Sequence, residues 1–183
     1  MTTRKFKAAA FYKILINDGT RVHWRRLIGY NKERPRAIQC LWQACHGKLA
    51  TKERLKRFGV IEDNICSLCK SEEETISHLF FSCPRTRHIW VEILKWFNIQ
   101  HEPQQWDTEL IWITNQTKGK GWKADVLKMV TAETVYNIWI YRNSITFGNI
   151  VENTNMVEKI IDNVIYRGWK NNRIRKYLAS LMM

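Results

Sequence analysis

Four soft donors fall within an 18-residue window of this chain: Cys66, Cys69, His78 and Cys83, in the spacing Cys-x2-Cys-x8-His-x4-Cys. Three thiolates and one imidazole fill a tetrahedron around zinc and leave no position open, which is the donor set of a structural site. One structural Zn2+ is the expectation. It would pin a tight Cys-x2-Cys turn, the segment carrying His78 and the start of whatever follows Cys83. Binding of this kind contributes about 10–16 kcal/mol in small zinc peptides, comparable with the whole net stability of a domain, so loss of one ligand should unfold at least this segment. The competing reading is buried free thiols beside a surface histidine. His88 could also replace His78. Cys40, Cys45 and His46 do not suggest a second site, because Cys45 already belongs to an apolar helical stripe, and core cysteines account for Cys40 and Cys45.

Charge divides the chain into three. Residues 1–60 carry 15 Lys/Arg against 3 Asp/Glu, residues 61–117 carry 4 against 9, and residues 118–183 carry 11 against 5, for a formal net of +13. Two basic arms thus flank an acidic metal-binding segment, and a polyanionic partner, most simply RNA or DNA, is expected. The candidate contact residues are Lys48, Lys52, Arg54, Lys56 and Arg57 ahead of the first cysteine, and Arg167, Lys170, Arg173, Arg175 and Lys176 near the C-terminus. Such side chains would meet phosphates and give salt-dependent binding. The plainer reading is a solvated helix face, and a protein partner is an alternative. Phe58 and Trp169 interleave with these charges but read as core residues rather than as base-stacking platforms.

Reaction chemistry finds little support. No Gly-rich phosphate loop is present, no cysteine has an activating base at a recognisable spacing, and a closed Cys3His site has no vacancy for water, so the chain is not expected to be an enzyme. The first residues contain no apolar leader segment, and no stretch approaches the roughly 18 apolar residues of a membrane span. Clustered Cys and His in that setting fit a reducing, intracellular compartment, nucleus and cytoplasm not being distinguished.

Apolar residues make up 45% and charged ones 26%, and the periodicity is helical. Residues 6–16 read as a helix, as does the short stretch from His23 to Leu27. Pro35 suits the first turn of a helix with a buried stripe of Ile38, Leu41, Trp42 and Cys45. Thr51 caps Lys52–Phe58, with Gly59 at its end. Val60 to Ile65 reads as extended. Ser71 and Glu74 read as a capping box that starts a helix running through His78 to about Phe81. Pro84 starts a helix with Ile89, Trp90, Ile93, Leu94 and Phe97 on one face, and Asp107 caps another holding Leu110, Ile111 and Ile113. A long helix follows from about Trp122 to Phe147, with Val126, Leu127, Val130, Val135, Ile138 and Trp139 as its buried stripe. A last one runs from about Asn155 to Leu181, with Ile161, Ile165, Trp169, Tyr177 and Leu181 inward. The fold class is mainly α: a helical domain with an embedded Cys-Cys-His-Cys knuckle, followed by two long C-terminal helices. The expected divisions are a helical lead-in over 1–34, the zinc-binding domain over 35–106 and a C-terminal helical region over 107–183.

The run from Leu49 to Gly59, the Cys66-Ser67-Leu68-Cys69 knuckle, the stretch from Glu73 through His78-Leu79-Phe80 to Cys83-Pro84, and Ile89-Trp90 together resemble the zinc-binding domain of plant LINE-type reverse transcriptases. Members share a T-x-x-R-L-x-x-x-G helix and an E-T-x-x-H-L-F-x-x-C stretch. The resemblance covers about residues 35–97. Phe11-Tyr12 and the Trp42 helix look like the upstream portion, and Trp139 to Asn143 followed by Phe147 is similar to a downstream one. It implies that Cys66, Cys69, His78 and Cys83 ligate zinc and that the module helps bind template RNA or target DNA. The chain has no adjacent Asp pair of the polymerase kind and no RNase H domain. The expectation is therefore a fragment, remnant or host-adopted copy of the element that cannot itself polymerise DNA.

Overall fold

The computed structural model describes residues 22–148, 155–172 and 174–175. Its elements are α1 (Arg25–Gly29), α2 (Pro35–Cys45), α3 (Lys52–Arg57), a π-helical turn (His78–Ser82), α4 (Arg87–Trp96), α5 (Trp106–Gln116), α6 (Trp122–Thr146) and α7 (Met156–Trp169). Among the described residues no strand forms; one antiparallel bridge joins Ile65 to Glu73. The mainly α expectation holds. The helix expected over residues 6–16, and Tyr177 and Leu181 of the expected C-terminal helix, lie outside the described residues.

Helix α6 is the axis of the fold. From Ala124 to Val135 every residue is buried, because α2, α4, α5, α7 and the π-turn all pack on it. A helix buried on all sides has no clean polar face, so its polar residues must be satisfied within the core. Thr131 Oγ1 donates to Leu127 O at 2.7 Å, and Thr134 Oγ1 to Val130 O at 2.7 Å. Glu133, fully buried, accepts from Arg34 Nε at 3.0 Å, Asn137 Nδ2 at 2.9 Å and Asn163 Nδ2 at 3.0 Å.

Two expected stripes are rotated by one residue. In α2 the buried positions are Ala37, Cys40, Leu41 and Ala44, while Ile38, Trp42 and Cys45 are half-buried at the edges. In α7 they are Met156, Ile160, Val164 and Gly168, while Ile161 and Ile165 are half-buried and Trp169 is exposed. In α2 the inward side carries Ala37, Cys40 and Ala44 beside Leu41, and in α7 it carries Met156, Ile160 and Val164 and ends on Gly168. In α2 the small side chains let the two backbones approach, and the larger Ile38 and Trp42 cover the seam from the flanks. The other apolar faces stand as expected, with three adjustments. Helix α4 begins at Arg87, after a Pro84–Thr86 turn. Asp107 lies inside the first turn of α5, not at its cap, and Ile111 is exposed. Helix α7 ends at Trp169, and a further helical turn includes Ile174, which is buried.

Candidate metal centre

The knuckle is a tight turn closed by Lys70 N donating to Cys66 O at 3.0 Å, with Lys70 in the left-handed region at φ +60°. Leu68 N points at Cys66 Sγ (3.4 Å), and Ser71 Oγ donates to Cys69 Sγ (3.2 Å). Thr75 caps the next helical turn: its Oγ1 accepts from His78 N at 2.9 Å, and its carbonyl accepts from Leu79 N at 3.0 Å. Cys83 N then reaches back to His78 O at 2.7 Å. That i to i+5 bond is what makes the turn π-helical. In an α-helix, five residues would leave two side chains about 140° apart; the wider turn instead returns the chain to the side of His78 before it leaves at Cys83.

The result is that one donor atom each from Cys66, Cys69, His78 and Cys83 lies within 4.8 Å of every other, with Cys66, His78 and Cys83 buried. Cys69 Sγ and His78 Nε2 are 3.3 Å apart. Zinc bonds of about 2.3 Å to sulfur and 2.0–2.1 Å to nitrogen place tetrahedral donors roughly 3.5–3.8 Å from one another, so the four donors fit such an ion with small adjustments. On the far side of the imidazole, Nδ1 lies 3.1 Å from Glu72 Oε2, and a carboxylate there turns the Nε2 lone pair toward the cluster.

The electrostatics split the four donors: Cys66 and Cys69 are held toward the thiolate that binds metal, whereas Cys83 and His78 are held toward their protonated forms, so metal binding would release their protons. The Cys83 thiol donates to the Cys66 sulfur, which lowers the Cys66 thiol to about 5 against the cost of burial and holds Cys83 up. Burial pushes the Cys69 thiol up, but the Ser71 hydroxyl and the Ser71 and Glu72 backbone N–H groups outweigh it and hold the thiol low. Burial pushes His78 down, but its bonds to the Cys69 and Cys66 sulfurs leave it raised. Cys40 and Cys45, by contrast, are pushed up to about 12 by burial, as inert core thiols should be. His88 is exposed and outside the cluster.

The capping box does not form. Ser71 faces Cys69, and Glu74 is fully buried. One oxygen of Glu74 accepts from Lys52 N (2.9 Å) and from Arg142 Nε and Nη2 (2.9 and 2.6 Å); the other accepts from Ser67 N (3.1 Å). A single carboxylate therefore ties the start of α3, the knuckle and the end of α6. Neither Glu72 nor Glu74 was distinguishable from a helix cap by local pattern, and Arg142 is 68 residues away.

Residues 6–90 match the family model for zinc-binding in reverse transcriptase. The match spans all four candidate ligands and supports that domain family for this segment. Comparison with curated proteins and with solved structures gave no significant match.

The basic residues are less uniform than their sequence suggests. Lys48 is exposed, its ammonium 5.2 Å from the Trp42 ring. Lys52 Nζ pairs with Asp63 at 2.8 Å, Arg54 donates to Gly47 O at 2.8 Å, and Arg57 pairs with Glu53 at 3.1 Å. Lys56 is exposed. Arg167 Nε lies 3.4 Å from the buried Glu33, Lys170 caps the Tyr166 hydroxyl at 3.0 Å, and Arg175 is exposed. Arg173 and Lys176 lie outside the described residues. Phe58 is not a core residue: it is 64% exposed, with the Arg54 guanidinium 4.9 Å from its ring. Trp169, at 41%, is likewise exposed. Both stand at the C-terminal end of a helix, Phe58 just past α3 and Trp169 as the last residue of α7.

Proposed function

We propose that the chain is a nucleic-acid-binding module of a plant LINE-type reverse transcriptase, braced by one structural zinc and carrying out no chemistry of its own. Four protein donors around one point leave a tetrahedral ion no open coordination site, which favours a structural role. The observation that carries the binding role is the exposed face of α3 and its C-terminal end. Arg54, Lys56 and Arg57 stand there beside the exposed ring of Phe58, a combination of cations and a stacking surface suited to nucleic acid. Glu74 fixes the N-terminal end of this helix to the knuckle, so the metal orients the contact surface and is not itself the contact.

The test uses the zinc-loaded full chain. RNA and DNA binding should weaken steeply with salt, and Lys56→Gln with Arg57→Gln should reduce the logarithmic salt slope by about one for each phosphate that is no longer neutralised. Cys69→Ser should lose both metal and binding, with metal analysis finding about one zinc per wild-type chain. A folded, zinc-loaded chain that binds neither RNA nor DNA at low salt sinks this reading. A protein-interaction role has one observation in its favour: Ile140, Ile145 and Phe147 are exposed toward the end of α6. A stoichiometric protein partner retained after nuclease treatment would select it.

A further inference from the structure

Away from the metal centre, a cleft of about 580 Å³ opens where the end of α1 meets the α5–α6 loop and the first turns of α6. Among the described residues its walls carry Arg26, Lys32, Lys118 and Lys128, with one carboxylate, Asp125, between two of them. Lys32 Nζ lies 2.7 Å from one oxygen of Asp125, and Lys128 Nζ 3.3 Å from the other. Two ammonium groups thus share one negative charge. Lys128 is only 5% exposed, and a buried cation that is only half neutralised is costly. The cleft therefore holds a standing excess of positive charge at its floor, where an anion would complete the balance.

The cleft is preformed. Asn31 Nδ2 donates to Lys128 O at 2.7 Å and to Leu27 O at 3.1 Å, while Asn31 Oδ1 accepts from Glu33 N at 3.0 Å. These bonds clamp the loop after α1 onto α6. At the same cleft Tyr30 stands 63% exposed, a flat aromatic beside a row of cations.

We infer that this cleft takes a short single-stranded stretch of RNA or DNA, its phosphates meeting Arg26, Lys118 and the recessed Lys128 and a base stacking on Tyr30. This rests on the nucleic-acid reading above and places a second binding surface at residues outside α3. A single strand fits better than a duplex, because only a thin chain reaches the recessed ammonium. The volume lies within the roughly 300–1,000 Å³ typical of small-molecule sites, room enough for one base and its phosphate.

The test titrates the zinc-loaded full chain against fluorescent oligo-dT and oligo-U, a duplex of matched length and a mononucleotide. The variants are Tyr30→Ala, Tyr30→Phe and Arg26→Gln with Lys118→Gln, alongside the α3 pair Lys56→Gln with Arg57→Gln. All these residues are exposed, so helical circular dichroism and the thermal midpoint should stay at wild-type values. Tyr30→Ala should weaken oligonucleotide binding at least about fivefold and Tyr30→Phe should restore it. The Arg26/Lys118 pair should lower the salt slope by about one per phosphate, and the duplex should bind more weakly than the single strand. If the α3 pair loses binding while the cleft variants bind like wild type, the cleft proposal falls and the broader reading stands. Wild type that binds no oligonucleotide overturns both. Cleft variants that lose only mononucleotide binding make it a nucleotide pocket and overturn the assignment.

Discussion

Glu74 shows how much one side chain can hold. Its fully buried carboxylate has backbone donors from α3 and the knuckle and a two-pronged partner in Arg142, itself buried. Arg142→Met would leave that charge without its counterion, and removing one member of a buried pair costs about 3–5 kcal/mol. Denaturant unfolding should show a loss of that size, with partial recovery in the double variant Arg142→Met with Glu74→Gln. Glu33 is a different case. Burial, with a further push from Glu133, raises its carboxyl from 4.5 to about 7, and its Oε2 has no hydrogen-bond partner among the described residues. The folded state therefore holds a proton that the unfolded chain releases. The stability this supplies is fully present below about pH 4.5 and is lost as pH rises through about 7, by up to about 3 kcal/mol. Glu33→Gln should match wild type near pH 4 and melt higher than wild type at pH 8, as thermal unfolding at the two pH values will show.

Helices α2 and α7 show what decides a buried face. Each has apolar residues on two adjacent faces, and the periodicity of 3.6 fits both. Packing against α6 selects the side with Ala37, Cys40, Leu41 and Ala44 in one helix and Met156, Ile160, Val164 and Gly168 in the other. The close approach leaves no space for a longer side chain at Ala44, which is 1% exposed. Ala44→Leu is expected to cost about 1–3 kcal/mol through overpacking, whereas a change at the half-buried Ile38 should cost less. Chemical denaturation of both variants separates the faces. The short α3 was readable throughout, because Thr51 and Gly59 mark its ends by local chemistry: the Thr51 side chain accepts from Arg54 N, and Gly59 takes φ +68°.

The metal cluster and the helical core form one connected structure. Leu79, Phe80 and Phe81 of the π-turn are buried among the residues that pack on α4, α5 and α6. Phe81 lies 5.5 Å from the Trp106 ring and 5.9 Å from the Trp90 ring. Removing the ion should therefore do more than loosen a loop. Chelation at neutral pH is expected to bring a single cooperative loss of helical circular dichroism together with a change in tryptophan fluorescence. Two separate transitions, or fluorescence unchanged while zinc leaves, would show the cluster to be independent of the core. Among the described residues no helix is long and apolar enough to cross a membrane.

The sequence alone determined the four candidate ligands, the helical class and the helix ends marked by Pro35, Thr51 and Gly59. These depend on residue type and on spacing along the chain, which local rules read directly. The tertiary structure decided which face of α2 and α7 is inward, because both candidate faces satisfied the same period until α6 was placed against them. It also decided that Glu74 is a buried acceptor rather than a cap, since its partner Arg142 is distant in sequence. Likewise, Phe58 stands on the surface beside its cations because, among the described residues, no neighbouring element covers that end of α3. The two ammonium groups that share Asp125 come from α6 and from the loop after α1, and only folding brings them to one cleft.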